Sequence, residues 1–455
     1  MPNLNLQKLR LCDYRCFESI DIEFHPQLTV LVAANGAGKT SILDAISVAL
    51  GPYIGAFDEA IGKHFEPSDI RLVQARKTAT NEMEYAPKGV SLKATGFIPG
   101  SLIDGLDSAH LPSTWQRALT SPTKAKTTIK DAKELADYGK RMQESVRTPD
   151  VDVLLPLISY YGTGRLWQQK KLTVGKKLAR TSRTIGYSDC LDPASSYKTF
   201  VEWFRYWSMN AKDLQLKEQT ASPAYAEFSG YIASVKKAVN ACLVPAGWNN
   251  LEYSFKLDTL VAHHIKNGEL PVEMLSDGIR NMIGMVADIA FRATKLNGHL
   301  GANAAAQTPG IVLIDEVDMH LHPAWQQIVL KSLVDAFPCI QFIVTTHSPQ
   351  VLTSVPSECI LILSDGKVHS APPGAEGAEP GRLLKQILGL TDVRPPNNDA
   401  TRELREYLFL VDQDQWNSPR ALALRQKLDA RYQGTEPELF EADLRIENRK
   451  WELGE

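Results

Sequence analysis

The feature that most constrains this chain is the segment at residues 28–46, LTVLVAANGAGKTSILDAI. An apolar β run leads into a glycine-containing turn, and a helix opens directly after it. In a phosphate-binding P-loop of this kind, backbone N–H groups surround the phosphates, the lysine reaches the outer ones and the hydroxyl is placed for Mg²⁺. Ala33 replaces the first glycine of the pattern, which is acceptable if its φ stays negative. The predicted nucleotide-binding residues are Asn35, Gly36, Ala37, Gly38, Lys39, Thr40 and Ser41.

The size and composition of the chain limit its domain organisation and its possible partners. A chain of 455 residues exceeds what one hydrophobic core usually supports, so two or three lobes are expected. The 50 basic and 53 acidic residues give a net charge of −3, which provides no global attraction to nucleic acid. No apolar run approaches the roughly 20 residues that span a bilayer, and the N-terminus lacks a secretion signal. A cytoplasmic protein without membrane contact is expected.

The pattern of apolar residues and breakers divides the chain into four regions. These are an N-terminal lobe with the P-loop (1–160), a helical insert (161–250), a C-terminal lobe (251–365) and a helical tail (382–455). The helix after the P-loop is expected to end at Gly51 and Pro52. A polar helix is expected at 125–147, and a Gly/Ala-rich loop at 297–310.

A second chemical motif lies in the C-terminal lobe. Residues 311–314, IVLI, are followed by two acids, Asp315 and Glu316. A buried parallel strand that ends in a carboxylate is where nucleotide-bound Mg²⁺ is held, so Asp315 and Thr40 are predicted metal ligands. Glu316 is placed to polarise an attacking water, a contribution typically worth about 10²–10⁴ in rate. A solvated acidic turn after a strand is the alternative for this motif alone.

Two further motifs accompany it. Residues 341–346 read as another core strand that ends at His347, whose imidazole can hydrogen-bond a γ-phosphate or its water. Residues 275–280, LSDGIR, open an amphipathic helix that Ser276 is expected to cap. The start of that helix offers a second anion site. Taken alone, each motif is also compatible with a purely structural role.

The order of these motifs resembles the ATP-binding-cassette heads shared by Rad50, SMC, RecF and OLD proteins. The resemblance covers residues 1–51 and 251–365. It implies an α/β fold, an ATP-binding-cassette (P-loop NTPase) head with an inserted, largely helical lobe and a helical C-terminal tail. It also implies that Ser276 and Gly278 close over ATP bound by a second copy of the chain. Catalysis would then need a homodimer with two ATP and Mg²⁺, and higher homo-oligomers are expected.

The same resemblance directs attention to two arginines. Such heads carry a glutamine-containing loop that is not obvious here, and Arg165, after the expected strand 153–161, is the nearest candidate for a phosphate contact. Arg15 stands where similar heads place a basic residue near the nucleotide, although a solvated surface arginine is the alternative. The basic run from Lys170 to Arg183 makes DNA a candidate ligand, with a solvated loop as the alternative.

The branch of the family is indicated by what the chain contains and lacks. It has no sustained heptads for a coiled-coil arm. Residues 158–165, 186–191 and 321–326 are similar to the compact ATPase subunits of Septu anti-phage systems, the PtuA family, also found with retrons. That resemblance implies a separately encoded His-Asn-His (HNH) nuclease, PtuB-like, as partner. Two alternatives stay open: a self-contained OLD-like DNA nuclease that uses Asp412 and Asp414, and a RecF-like DNA-repair ATPase.

Overall fold

The computed structural model describes residues 3–74, 82–100, 102–103, 106–107, 112–123, 125–149, 151–164, 182–193 and 198–453. The strands are β1 (Asn5–Tyr14), β2 (Phe17–Glu23), β3 (Leu28–Ala33), β4 (Leu72–Gln74), β5 (Met83–Tyr85), β6 (Val90–Phe97), β7 (Leu102–Ile103), β8 (Leu106–Asp107), β9 (Ser113–Leu119), β10 (Leu157–Tyr161), β11 (Trp248–Ser254), β12 (Thr259–His264), β13 (Gly268–Pro271), β14 (Gly310–Ile314), β15 (Ile340–Thr346), β16 (Ile360–Ser364) and β17 (Lys367–Ser370). The helices are α1 (Lys39–Ile54), α2 (Lys133–Arg147), α3 (Lys198–Leu216), α4 (Pro223–Leu243), α5 (Asp277–Leu296), α6 (Ala304–Gln307), α7 (Pro323–Gln326), α8 (Val329–Ala336), α9 (Pro349–Leu352), α10 (Pro380–Gln386), α11 (Asp399–Asp412), α12 (Pro419–Tyr432) and α13 (Pro437–Leu453).

The chain forms two compact units, Met1–Leu383 and Leu384–Glu455. The first is built on a six-stranded sheet of order β10-β14-β15-β3-β16-β17, in which only β17 runs antiparallel. Every residue of β3, β14 and β15 is buried, as expected for parallel strands covered on both faces. Because the strands are parallel, the P-loop, Asp315 and His347 all follow strand ends at one edge of the sheet.

An antiparallel sheet of order β2-β1-β6-β9 lies in the same unit, together with a three-stranded sheet of order β11-β12-β13. The α/β head that the sequence predicts is therefore confirmed. Helix α1 connects the two larger sheets: it starts at the P-loop and packs on β3, β6 and β9. No helix among the residues that the structure describes is long and apolar enough to span a membrane.

Helix α1 does not end where the sequence predicts. It passes through Gly51 and Pro52 and continues to Ile54. Proline has no N–H, so Pro52 cannot donate the usual i→i−4 hydrogen bond to the carbonyl oxygen of Val48. The side chain of Arg117 on β9 replaces it, with Nη1 donating to that oxygen at 2.8 Å. The predicted stop was wrong because a donor from a distant strand compensates for the proline.

Helices α3 and α4 pack on α5 to form the helical part of the first unit. Aromatic residues fill the contact between α3 and α5: the ring centroid of Phe291 is 5.8 Å from that of Trp207 and 6.3 Å from that of Phe200. The segment expected to be a loop at 297–310 is instead largely helical, with a 3-10 turn at Gly298–Asn303 and α6. The four-residue helix α6 begins only after the non-helical Gly301, in a run of alanines, the residue of highest helix propensity. The polar helix expected at 125–147 begins at residue 133 as α2.

The second unit is helical in its described residues. Helices α11, α12 and α13 enclose a small apolar core that includes Leu404, Tyr407, Leu424 and Leu439. Arginine–carboxylate pairs connect the helices on the outside, as between Arg425 and Asp443. Exposed pairs of this kind add little stability each, so the core accounts for most of the stability of this unit.

Candidate active site

The P-loop adopts the backbone that phosphate binding requires. Gly36 and Gly38 have φ values of 79° and 98°, which L side chains rarely adopt. A Cβ on Gly38 would also lie 2.3 Å from the Phe17 ring, because the β1–β2 turn packs directly against the loop. Ala33 is the last residue of β3, so its backbone is extended and no glycine is needed there. The residues predicted from sequence thus form a loop whose N–H groups can face a bound anion.

Lys39 is the cation of this loop. Its side chain is buried, and Nζ donates to the carbonyl oxygens of Ala33 at 3.0 Å and Ala34 at 3.3 Å. Burial lowers the pKa of Lys39, although the nearby carboxylates of Asp315 and Glu316 act in the opposite direction. The ammonium is therefore held inside the loop by neutral oxygens that phosphate oxygens can replace.

Thr40 and Asp315 meet across the strand ends. Thr40 Oγ1 donates to Asp315 Oδ2 at 2.7 Å, while the second carboxylate oxygen accepts a hydrogen bond from Thr345 Oγ1 at 2.6 Å. Asp315 is only 2 % exposed, and its N–H donates to Tyr161 O at 2.8 Å. A hydroxyl and a carboxylate side by side are oxygen ligands of the type that Mg²⁺ prefers.

Within the described residues, no group of three or more His, Cys, Asp or Glu side chains is arranged to hold a metal ion. Mg²⁺ commonly binds through one or two protein ligands plus substrate phosphates and waters. Asp315 and Thr40 are the two oxygen-bearing side chains that could supply such ligands here.

Glu316 and His347 follow neighbouring strands at the same edge. Glu316 has a positive φ of 48°, and its N–H donates to Thr345 Oγ1 at 2.8 Å. Both Glu316 and His347 are partly exposed. The loop between their strands is tied to the end of β15, since Thr346 Oγ1 donates to Asp318 Oδ1 at 2.5 Å. The structure thus places the strand-end histidine on the strand next to the P-loop strand, and the predicted base on the strand after that.

The helix start at residues 275–280 differs from the expectation in one respect. Ser276 occupies the N-cap position of α5, but its side chain makes no capping hydrogen bond. The side chain of Arg280 holds this turn instead, pairing with Asp277 and donating to Glu273 O at 3.2 Å. The prediction of a capping serine was therefore wrong, and the exposed hydroxyl of Ser276 is not committed to its own helix.

Gly278 is buried against the loop that follows β14. A Cβ at this position would lie 2.3 Å from the carbonyl oxygen of His320, so any side chain would force that loop to move. Asp277, next to it, is exposed. The glycine therefore fixes the distance between the start of α5 and the loop that carries Asp318.

Arg15 lies beside the P-loop but is not the solvated residue that the alternative interpretation assumed. Its Nη1 donates to Asp44 Oδ2 at 2.6 Å, and its Nε donates to Asp69 Oδ1 at 2.8 Å. The same Nη1 is 3.5 Å from Ser41 Oγ. Tyr160 OH donates to the other oxygen of Asp44 at 3.0 Å. Two carboxylates thus neutralise Arg15 and place it next to the second hydroxyl of the P-loop.

Several sequence candidates fall elsewhere. Arg165 and the basic run from residue 170 to 180 lie outside the described residues. Arg183 is described, and it donates to the backbone oxygens of Leu296 at 2.6 Å and Val153 at 2.7 Å and to Asn297 Oδ1 at 3.2 Å. Asp412 ends helix α11 and is not on a strand; it pairs with Arg445, as Asp414 does with Arg449. These two acids are therefore not arranged as the strand-end carboxylates of a nuclease.

Sequence reasoning missed Thr345, Asp44 and Tyr160. Thr345 lies within the predicted core strand, where a threonine looks like an ordinary β-former. The signal in the sequence was the pair of threonines directly before His347. Successive residues of a strand face opposite sides, so this pair places one hydroxyl group on each side of the strand end. Asp44 could have been noticed as a charged residue in an otherwise apolar helix.

Two protein-family models match the chain. One, described as "AAA domain", covers residues 8–222 and includes the P-loop. The other, described as "AAA domain, putative AbiEii toxin, Type IV TA system", covers residues 249–353 and includes Ser276, Asp315, Glu316 and His347. All the predicted motifs therefore fall within the matched regions.

Similar proteins include retron ATPases and a Septu protein. The "Retron Ec83 probable ATPase" of Escherichia coli is 29% identical over a 510-residue alignment that covers 99% of this chain and 88% of that protein. The "Retron Vc95 probable ATPase" of Vibrio cholerae serotype O1 biovar El Tor is 26% identical, over 80% of this chain and 74% of that one. The "Septu protein PtuA" of Bacillus mycoides (strain KBAB4) is 34% identical over 150 residues, which are 32% of this chain and 20% of that one.

Together with the site geometry, these matches show that the chain is an ATPase with AAA-domain motifs, similar to the retron ATPases and to Septu PtuA. The resemblance expected from the motifs is thereby confirmed.

Proposed function

We propose that this ATPase binds ATP between two copies of the chain and uses its nucleotide state to gate a separately encoded HNH nuclease that cleaves DNA in anti-phage defence. The defence context is supported by the names of its relatives, which are retron and Septu proteins. The observation that carries the enzymatic part is the 2.7 Å hydrogen bond between Thr40 and Asp315, which brings the P-loop and the acidic strand end together.

Each side chain at this edge of the sheet would have a separate role in ATP hydrolysis. Thr40 and Asp315 would hold Mg²⁺, and bound Mg²⁺ supplies charge neutralisation at the phosphate oxygens. The Lys39 ammonium would exchange its two carbonyl partners for phosphate oxygens. Glu316 would accept a hydrogen bond from the attacking water, and His347 would hydrogen-bond the terminal phosphate.

The second copy of the chain would complete each site. The exposed Ser276 hydroxyl makes no cap in its own helix, so it is available to donate to a nucleotide held by the other copy. Nucleotide can favour one assembly only by binding it more tightly than another. A switch of this kind requires occupancy more than throughput, so slow turnover is compatible with it.

Subunit mixing tests this arrangement directly. Lys39→Ala should abolish nucleotide binding, and Ser276→Arg should block closure; each homodimer should be inactive. In a heterodimer of the two, one site combines both defects while the other has an intact P-loop and an intact Ser276. An equal mixture should therefore recover up to about a quarter of the wild-type sites, because half of the dimers are mixed. If mixing restores no ATPase activity, the shared site is wrong.

The gating role needs its own measurement. Glu316→Gln should bind ATP normally, hydrolyse it slowly and accumulate an ATP-bound assembly, visible by light scattering. Co-purification with the product of an adjacent HNH reading frame, followed by DNA cleavage at varied ATP, tests the partner. DNA cleavage by the purified chain alone, lost on Asp412→Ala, would instead support a self-contained nuclease. ATP-dependent DNA binding with no nuclease partner would support a RecF-like role.

A further inference from the structure

The predicted metal ligand and the predicted base share one neighbour, Thr345 on β15. We infer that Thr345 is a positioning residue for ATP hydrolysis, which sets the side chain of Asp315 and the backbone of Glu316 through a single hydroxyl group. The inference rests on the proposed function, in which Asp315 holds the metal and Glu316 polarises water.

The first half of this role concerns Asp315. Its carboxylate receives one hydroxyl donor on each oxygen, from Thr345 at 2.6 Å and from Thr40 at 2.7 Å. Thr345 is fully buried in the central sheet, so its position is fixed by the strand. A carboxylate anchored at Oδ1 cannot rotate about its terminal bond without losing that hydrogen bond. Oδ2 is therefore directed at Thr40, where a P-loop metal would be held.

The second half concerns Glu316. Its N–H donates to the same hydroxyl oxygen at 2.8 Å, and the N–H of Val317 donates to the carbonyl oxygen of Thr345 at 3.0 Å. These two bonds fasten the turn in which Glu316 has a φ of 48°. A non-glycine residue keeps such a conformation only where its surroundings enforce it. Thr345 thus determines the direction in which the Glu316 side chain leaves the strand.

Only a hydroxyl can perform both tasks, because it donates one hydrogen bond and accepts others at the same atom. Valine has the same shape but neither capacity, whereas serine keeps the hydroxyl and loses only a methyl group. The adjacent Thr346 does not duplicate this role: its hydroxyl donates to Asp318 and accepts from the Ser348 N–H at 3.0 Å. The two threonines face opposite sides of the strand.

The test compares Thr345→Val with Thr345→Ser in ATPase and nucleotide-binding assays. Thr345→Val should bind ATP within about threefold of wild type, because it leaves the P-loop intact, but should lower kcat on the order of 10- to 100-fold. The Mg²⁺ concentration for half-maximal activity should rise. Thr345→Ser should restore most of the activity. Thr29→Val is the matched control, since it removes another buried hydroxyl from the adjacent strand β3 without touching either acid.

A wild-type kcat and Mg²⁺ dependence in Thr345→Val would overturn the inference, as would equal losses in the valine and serine variants, which indicate a packing role. In the Glu316→Gln background, Thr345→Val should cost less than it does alone, because only its effect through Asp315 remains. If Glu316→Gln itself hydrolyses ATP normally, the proposed base is wrong, which is a separate failure. Hydrogen exchange of the wild-type protein tests the inference without relying on the folding of any variant. Rapid exchange of the Glu316 amide would show that its hydrogen bond to Thr345 is not maintained, and would refute the inference.

Discussion

Arg117 offers the sharpest test of how the P-loop helix is held. It is fully buried, and its guanidinium donates to three backbone oxygens and a histidine nitrogen: Val48 O at 2.8 Å, Lys63 O at 2.6 Å, Thr128 O at 3.2 Å and His64 Nδ1 at 2.9 Å. None of these partners is a carboxylate. Burial lowers the pKa of Arg117 to about 10, because removal from water disfavours the charged guanidinium.

Replacement of Arg117 by methionine keeps much of the side-chain volume and removes all four donors. Each buried acceptor left without a partner costs about 1–3 kcal/mol, and relief from burying an unpaired charge offsets part of the total. We expect the free energy of unfolding to fall by about 3 kcal/mol. Pro52→Ala returns a backbone donor to Val48, so in that background the same replacement should cost about 1 kcal/mol less.

Urea unfolding of the four proteins in this cycle measures the coupling, and hydrogen exchange of amides in α1 shows where stability is lost. Arg147→Met is a suitable control, since Arg147 is an exposed residue that pairs with Asp58. It should change stability by less than about 1 kcal/mol. A loss below about 1 kcal/mol in Arg117→Met, or an equal loss with and without Pro52, would refute the compensation.

Three further outcomes follow from the same structure. Gly38→Ala should abolish nucleotide binding because its Cβ would lie 2.3 Å from the Phe17 ring, whereas Gly36→Ala, with open space around it, should weaken binding only through strain at φ 79°; titration with a fluorescent ATP analogue separates the two. Gly278→Ala should displace the loop after β14, since its Cβ would lie 2.3 Å from His320 O, but it leaves the P-loop intact. It should therefore lower ATPase activity and leave nucleotide affinity unchanged, which single-turnover assays and binding titrations can check. Burial lowers the pKa of Lys295 to about 8 from 10.5, so between those values the unfolded chain binds more protons than the folded one. Stability should therefore rise with pH through that window, more steeply in wild type than in Lys295→Met, when urea unfolding is compared at pH values on either side of it.

The positions of the chemical groups were predictable because they follow from local patterns. Residues 311–314 and 342–344 are continuous apolar runs, which indicate parallel strands inside a sheet, and parallel strands bring their carboxyl ends to one edge. The P-loop pattern after residue 33 then indicates which edge of the sheet binds phosphate. Local sequence therefore placed Asp315 and His347 near Lys39 before any distance was known.

The parts that could not be predicted depend on residues far apart in the chain. Pro52 is a stop signal by every local rule, and only Arg117, 65 residues later, removes its consequence. Ser276 has the right residue type for an N-cap, but the side chain of Arg280 orders that turn instead. Local propensity describes the preference of a segment, whereas tertiary partners decide which of its hydrogen bonds are needed.

Tyr161 connects, within one chain, the elements that would contribute to two different nucleotide sites. Its carbonyl oxygen accepts the Asp315 N–H at 2.8 Å, and its hydroxyl donates to Asp288 Oδ2 at 2.7 Å. Asp288 belongs to α5, the helix that begins next to Ser276, and Arg292 Nε donates to the same oxygen at 2.7 Å. This buried cluster links the strand end that would hold the metal to the helix that would reach the other nucleotide. A displacement of α5 on closure would therefore act on Asp315 through one residue, because a fully buried hydrogen bond is costly to break.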